Sequence, residues 1–128
     1  MCDSGNELVE QKPILLVEDE ATTREIVTHL LRAEGYAVDS VANGGAATTC
    51  LRSITYSLVI ADWMLPDGNG LDIADAAADL GAKTLIISGY TSDPPPGSER
   101  HDFMAKPLGP DEILGAVRRA IGNPPAQP

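Results

Sequence analysis

A doubly wound α/β sheet is the fold class that this sequence predicts, and three observations predict it. The runs Ile14-Leu15-Leu16-Val17, Leu58-Val59-Ile60-Ala61 and Leu85-Ile86-Ile87 are continuously apolar rather than alternating, as strands buried on both faces are in a parallel sheet. Between these runs lie stretches with apolar residues at helical spacing. Strand and helix patterns alternate five times along the chain, with one weak slot between Tyr90 and His101, and such alternation is the mark of α/β architecture.

Taken in order, the first strand is Ile14 to Val17. A helix follows in which Ile26, Val27, Leu30 and Leu31 share one face, and Gly35 is placed to end it. Tyr36 to Ser40 is a weaker second strand. Ala47, Cys50, Leu51 and Ile54 define the inner face of the next helix, and Leu58 to Ala61 is the third strand. Leu71 to Leu80 reads as an alanine-rich, acidic helix closed by Gly81, before the fourth strand at Leu85 to Ile87. Asp102 to Ala105 is a second weak strand. The last helix runs from Pro110 to Ile121 with Ile113, Leu114, Val117 and Ile121 inward. Pro110 suits its first turn, Asp111 and Glu112 complement the helix dipole there, and Gly122 with Pro124 stops it. Residues 1–12 and 123–128 read as polar or Pro-rich tails around a single domain over 13–122.

Composition narrows the function. The chain is 43% hydrophobic but only 4% aromatic, so its core must be aliphatic. A formal net charge of -10 leaves no basic stripe to neutralise phosphates and argues against nucleic acid as a partner. It suits a protein that binds cations or docks on basic partners. Cys2 and Cys50 are too few and too far apart in pattern to form a disulfide framework or metal cluster, and read as a free thiol and a small core residue. No apolar run approaches the roughly 20 residues of a membrane span. The leader MCDSGNELVEQK lacks the basic and apolar regions of a signal peptide, so no membrane insertion and a cytoplasmic location are expected.

In an open α/β sheet, ligands bind beyond the carboxyl ends of the strands. The first strand ends in Glu18-Asp19, with Glu20 next; the third ends in Asp62, the fourth in Ser88 and the fifth in Lys106-Pro107. Taken alone, each has an ordinary explanation, as a helix-opening acid, a turn residue or a solvated lysine. Together they bring the groups of a phosphoryl-transfer site to one edge. Two carboxylates ~4 Å apart repel by about 4 kcal/mol at an effective dielectric near 20, so three gathered together need a cation. Oxygen-only ligands favour Mg²⁺ over zinc. A lysine and a hydroxyl would balance and orient the oxygens of an incoming phosphoryl group.

The segments LLVEDE (Leu15 to Glu20), DWMLPDGNG (Asp62 to Gly70), IISGY (Ile86 to Tyr90) and FMAKP (Phe103 to Pro107) resemble, in order and spacing, the bacterial response-regulator receiver domain of two-component signalling. That resemblance implies a flavodoxin-like sheet of five parallel strands in the order 2-1-3-4-5. It implies that Asp62 accepts a phosphoryl group from a phosphohistidine. Asp19 and Asp62 would ligate Mg²⁺ with the backbone carbonyl of Met64, Glu18 acting mainly through water. Ser88 would be the switch hydroxyl, Lys106 the paired lysine with the bond into Pro107 cis, and Phe103 the rotating aromatic. Met64 and Tyr90 would tune dephosphorylation. The implied partners are a sensor histidine kinase or histidine phosphotransfer protein, an unknown downstream protein, and a second copy of the chain as a candidate dimer. The protein would then be no enzyme beyond its own phosphoryl transfer and slow autodephosphorylation, and no DNA-binding output domain is expected after Gly122.

The chain departs from the family between Tyr90 and His101. Pro94, Pro95 and Pro96 cannot sit inside a helix, so the fourth helix is expected to be missing, reduced to a turn, or mobile. The Ser-Gly-Tyr ending of the fourth strand resembles receivers of hybrid kinases and a subgroup with an unstable fourth helix. Other classes fit less well. An Mg²⁺-dependent aspartyl-phosphate phosphatase wants a second carboxylate two residues after Asp62, where Met64 stands. No Gly-rich phosphate loop follows any strand. The DGNG stretch fails as a calcium loop at Leu71 and Asp72. A histidine phosphotransfer protein would need an all-helical frame around His29 or His101. The remaining alternative is a pseudo-receiver that binds proteins without phosphorylation, against which the complete acidic set, Ser88 and Lys106 all weigh.

Overall fold

A computed structural model describes residues 12–89 and 93–124 of the chain. In chain order the elements are β1 (Ile14–Val17), α1 (Ala21–Ala33), β2 (Val38–Val41), α2 (Gly44–Ser53), β3 (Leu58–Asp62), β4 (Met64–Leu65), β5 (Gly68–Asn69), α3 (Gly70–Asp79), β6 (Lys83–Ser88), β7 (Asp102–Ala105) and α4 (Pro110–Ile121). Five strands form one parallel sheet in the order β2-β1-β3-β6-β7. Counting only the strands of this sheet, that is the flavodoxin-like order 2-1-3-4-5.

Continuous apolarity in the central strands has a direct packing cause. Ile14 and Leu16 of β1 face one layer, with Val27 and Leu31 of α1 and Ile113, Leu114 and Val117 of α4. Leu15 and Val17 face the other, with Ala47 and Cys50 of α2 and Ile73 and Ala77 of α3. Each such aliphatic side chain contributes about 1.5–3 kcal/mol on burial, so neither face of the strand can tolerate polar residues. The edge strand β7 is only half covered, which is why its signal in the sequence is weak.

The helix ends follow from side chains close in sequence. Glu20 caps α1 by accepting from the Thr23 and Thr22 amides, Asn43 caps α2 through the Ala46 amide, and Asn69 caps α3 through the Asp72 amide. Pro110 opens α4, where the Glu112 carboxylate accepts from the Gly109 amide. Gly35 (φ 108°) and Gly81 (φ 94°) follow α1 and α3 in the left-handed region that stops a helix.

Four details differ from expectation. The second strand is Val38–Val41, because Val38 pairs with Ile14; Tyr36 precedes it, buried, with its hydroxyl donating to the Gly122 carbonyl at 2.7 Å. Ile26 is 61% exposed, since the buried stripe of α1 is centred on Val27, Thr28 and Leu31. Cys50 is buried in α2 but is disulfide-bonded rather than a free thiol, and Cys2 lies outside the described residues. The antiparallel ribbon of β4 and β5 is too short to leave a period in the sequence.

Residues 93–100 hold turns and no helix. The Ser98 amide donates to the Pro95 carbonyl at 3.1 Å, and the His101 amide to the Ser98 carbonyl at 3.0 Å. The three prolines thus leave a connection of turns where the fourth helix is expected, with residues 90–92 outside the described set.

Candidate functional site

Parallel strands deliver all their carboxyl ends to one edge, and the site lies there. A cleft of about 550 Å³ is lined by Glu18, Asp19 and Glu20 after β1, by Asp62 at the end of β3 with Met64 beyond it, and by Gly89 and Lys106 after β6 and β7. Glu18 and Asp62 are buried while Asp19 is exposed, and carboxylate oxygens of all three lie within 4.8 Å of one another. This oxygen-only set could hold a divalent cation.

One lysine answers two of these acids. Lys106 Nζ donates to Asp62 Oδ2 and lies beside Glu18 Oε1, each at 2.9 Å. The second oxygen of Glu18 accepts from the Glu20 amide at 3.1 Å, so both Glu18 oxygens are engaged. Burial pushes the Glu18 carboxyl up, against the pull of Lys106 and the Glu20 amide, and the nearby Asp62 charge adds to the rise. For Lys106, burial favours the neutral amine, but its hydrogen bonds to Asp62 and Glu18 outweigh this and hold it above its ordinary value. The Lys106–Pro107 peptide bond is cis.

The backbone around Asp62 is tightly held. The Trp63 amide donates to the Ile87 carbonyl at 2.8 Å, and the Met64 amide to Asp62 Oδ1 at 3.3 Å. At the start of α3 the Gly70 amide donates to the Trp63 carbonyl at 2.7 Å. A Cβ on Gly70 would stand 2.2 Å from the Asp62 carbonyl oxygen. Asp67, in the turn between β4 and β5, accepts from the Gly44 and Gly45 amides at 2.8 and 2.9 Å, tying the loop after Asp62 to the start of α2.

Of the residues expected at the site, Glu18, Asp19, Asp62, Met64 and Lys106 meet at the cleft. Ser88 is fully buried at the end of β6, where its carbonyl accepts from the Lys106 amide at 2.8 Å. Phe103 is half-buried in β7, in register with Ile86. Tyr90 lies outside the described residues. The sequence alone left Arg24, Asp67 and Gly70 without roles. Gly70 and Asp67 stand in the segment DWMLPDGNG, but only the folded loop reveals what each touches.

Residues 14–118 match the family described as the response regulator receiver domain. This chain belongs to that family. As a receiver, it is 34% identical over 113 residues to the DNA-binding response regulator MtrA of Mycobacterium leprae, an alignment covering 84% of this chain and 50% of that protein. It is 32% identical over 111 residues to the transcriptional regulatory protein DltR of Streptococcus agalactiae, covering 82% and 50%. The chain thus spans about half the length of these curated relatives. Among solved structures it resembles the response regulator TrrA of Thermotoga maritima in complex with Mg²⁺-BeF. There the TM-score is 0.78 and the identity 30%, over 86% of this receiver and 99% of that chain. The receiver domain of the hybrid histidine kinase CckA is similar at a TM-score of 0.73 and 29% identity, over 85% and 98%. Among the described residues no helix is long and apolar enough to cross a membrane.

Proposed function

We propose that this receiver takes a phosphoryl group onto Asp62 from the phosphohistidine of a sensor histidine kinase or a histidine phosphotransfer protein. An Asp62 carboxylate oxygen forms the new P–O bond, the P–N bond breaks, and the donor imidazole leaves. The observation that carries this assignment is the buried Asp62 carboxylate with Lys106 Nζ 2.9 Å from Oδ2 and two more carboxylates within 4.8 Å. Lys106 offsets only part of the negative charge of three carboxylates, the remainder favours a further cation, and three oxygen donors suit Mg²⁺. Asp19, Asp62 and the Met64 backbone carbonyl would hold the ion. The engagement of both Glu18 oxygens fits a role through water. Bound there, Mg²⁺ supplies charge neutralisation for the phosphoryl oxygens.

The remaining roles belong to the same proposal. Ser88 hydrogen-bonds the phosphoryl group and Lys106 pairs with it, which draws the ends of β6 and β7 toward Asp62. Those differential contacts bias the switch, with Phe103 turning in response and Met64 and Tyr90 tuning the lifetime of the acyl phosphate. The protein acts as a signalling domain over residues 13–122 rather than as a turnover enzyme. Its net charge of -10 favours proteins over nucleic acid as the direct partners of this chain. A cytoplasmic location goes with a phosphohistidine made from intracellular ATP.

Trp63, the single tryptophan and the neighbour of Asp62, gives the test. Its fluorescence should change with Mg²⁺ and again with beryllofluoride or acetyl phosphate, and Asp62→Asn should lose the second response and all incorporation of labelled phosphate. Labelling of the Asp62→Asn protein would overturn the assignment. Absence of both responses in the unaltered chain would favour a pseudo-receiver adaptor.

A further inference from the structure

We infer that Arg24 is a positioning residue that sets the Mg²⁺ affinity of the acidic loop, an inference that rests on the function proposed above. Arg24 lies in the second turn of α1 and is half-buried. Its side chain folds back toward the loop from which its own helix springs. Nη1 donates to the Glu18 carbonyl at 2.9 Å and to the Asp19 carbonyl at 3.4 Å, while its backbone amide donates to the Glu20 carbonyl at 2.9 Å. The side chain thus grips two successive carbonyls, those of Glu18 and Asp19, while the amide's bond to Glu20 is the ordinary opening bond of the helix.

The loop needs such a grip. It must hold an exposed carboxylate, Asp19, against a buried one, Asp62, with oxygens within 4.8 Å, although like charges push them apart. Glu20 cannot help, because its carboxylate is committed to capping α1 through the Thr23 amide at 2.7 Å. A guanidinium can donate to two acceptors from a fixed plane, which suits two adjacent carbonyls better than a lysine ammonium does. Holding the main chain in place before the ion arrives removes the entropy of ordering it afterwards.

Positioning and simple electrostatics predict opposite signs here. A cation beside a cation site repels the incoming ion, so if charge alone mattered, removing Arg24 would tighten Mg²⁺ binding. If Arg24 orients the loop, its removal weakens binding, as loss of groups that orient metal ligands commonly does.

The test uses the full chain with Arg24→Lys, Arg24→Gln and Arg24→Met, measuring Mg²⁺ binding by isothermal titration calorimetry. The melting temperature in EDTA and the Mg²⁺ dependence of labelling by acetyl phosphate are read alongside. Arg24→Gln and Arg24→Met should weaken Mg²⁺ about tenfold, with Arg24→Lys recovering part of the loss. Labelling by all three should return to the unaltered rate at saturating Mg²⁺, with melting in EDTA little changed. Unchanged or tighter Mg²⁺ binding in the Gln and Met variants overturns the inference. So does a drop in melting temperature with no shift in Mg²⁺ affinity, which marks a purely structural role. Should Arg24→Met fail to fold, the ordering of unaltered chain, Lys and Gln decides in the same way. If the unaltered chain binds no Mg²⁺, the proposed function fails, and this inference with it.

Discussion

Gly70 shows how much a single missing side chain can carry. It opens α3 directly against the backbone of Asp62, and a methyl group there would come within 2.2 Å of one atom and 2.9 Å of another. Both belong to the main chain of β3 and cannot swing aside. Gly70→Ala should therefore destabilise the protein by about 3 kcal/mol, near the upper end for overpacking, as read from urea unfolding, and displace Asp62. Asp67 acts through its charge instead. Its hydrogen bonds from the Gly44 and Gly45 amides hold its carboxyl below the ordinary carboxylate range. A depressed folded-state value means that the stabilisation is present above the unfolded pKa of about 4 and is lost as pH falls through the lower folded value. Asp67→Asn should accordingly lower the melting temperature at pH 7, with the difference shrinking as the pH is taken down through the acid range. A constant difference across that range would contradict the charge-based account.

Between β6 and β7 the described residues 93–100 form turns rather than a helix, and a polar chain braces the connection. The side chain of His101 is fully buried, with Nε2 2.7 Å from Asp75 Oδ1 of α3 and Nδ1 hydrogen-bonded to the Thr84 hydroxyl of β6. Arg100 adds a 3.0 Å ion pair to Asp79 on the same helix. The exposed ion pair is worth little, whereas the buried imidazole both fills space and satisfies Thr84. His101→Ala should cost about 3 kcal/mol, from the lost volume and the unpaired groups left behind. Urea unfolding would measure it, and hydrogen exchange at residues 98–102 should quicken. The prolines of this segment made the missing helix legible in the sequence, because three in succession exclude a helix by sterics and lost donors. The brace was not legible, since His101 and Asp75 sit far apart in the chain and neither belongs to a local pattern.

Across the whole molecule, the site concentrates charge that the fold must tolerate. Three carboxylates meet over one lysine at the sheet edge, in a chain already carrying -10. Mg²⁺ should therefore stabilise the folded state by mass action. At a hundred times its dissociation constant the gain is about 2.7 kcal/mol, a rise in melting temperature of roughly 10 °C for a domain of this size. Asp62→Asn should gain less from Mg²⁺ than the unaltered chain does. Equal Mg²⁺ shifts in the two proteins would separate the stabilisation from this site.

The layered α/β architecture could be read before folding because burial writes itself locally. Leu58 to Ala61 is apolar at every position because both faces of β3 are covered, and the acids at strand ends could be seen because the runs stop there. The parallel order carried the rest, since it sends every strand's carboxyl end to the same edge. What distance in the chain concealed is contact. The two 2.9 Å approaches of Lys106, the closeness of Gly70 to Asp62, and the grip of Arg24 on the acidic loop depend on register and on the angle at which a helix leaves its strand. Side-chain periodicity reports which face of an element is buried. It carries no information on which polar atom, brought from elsewhere in the chain, will face it.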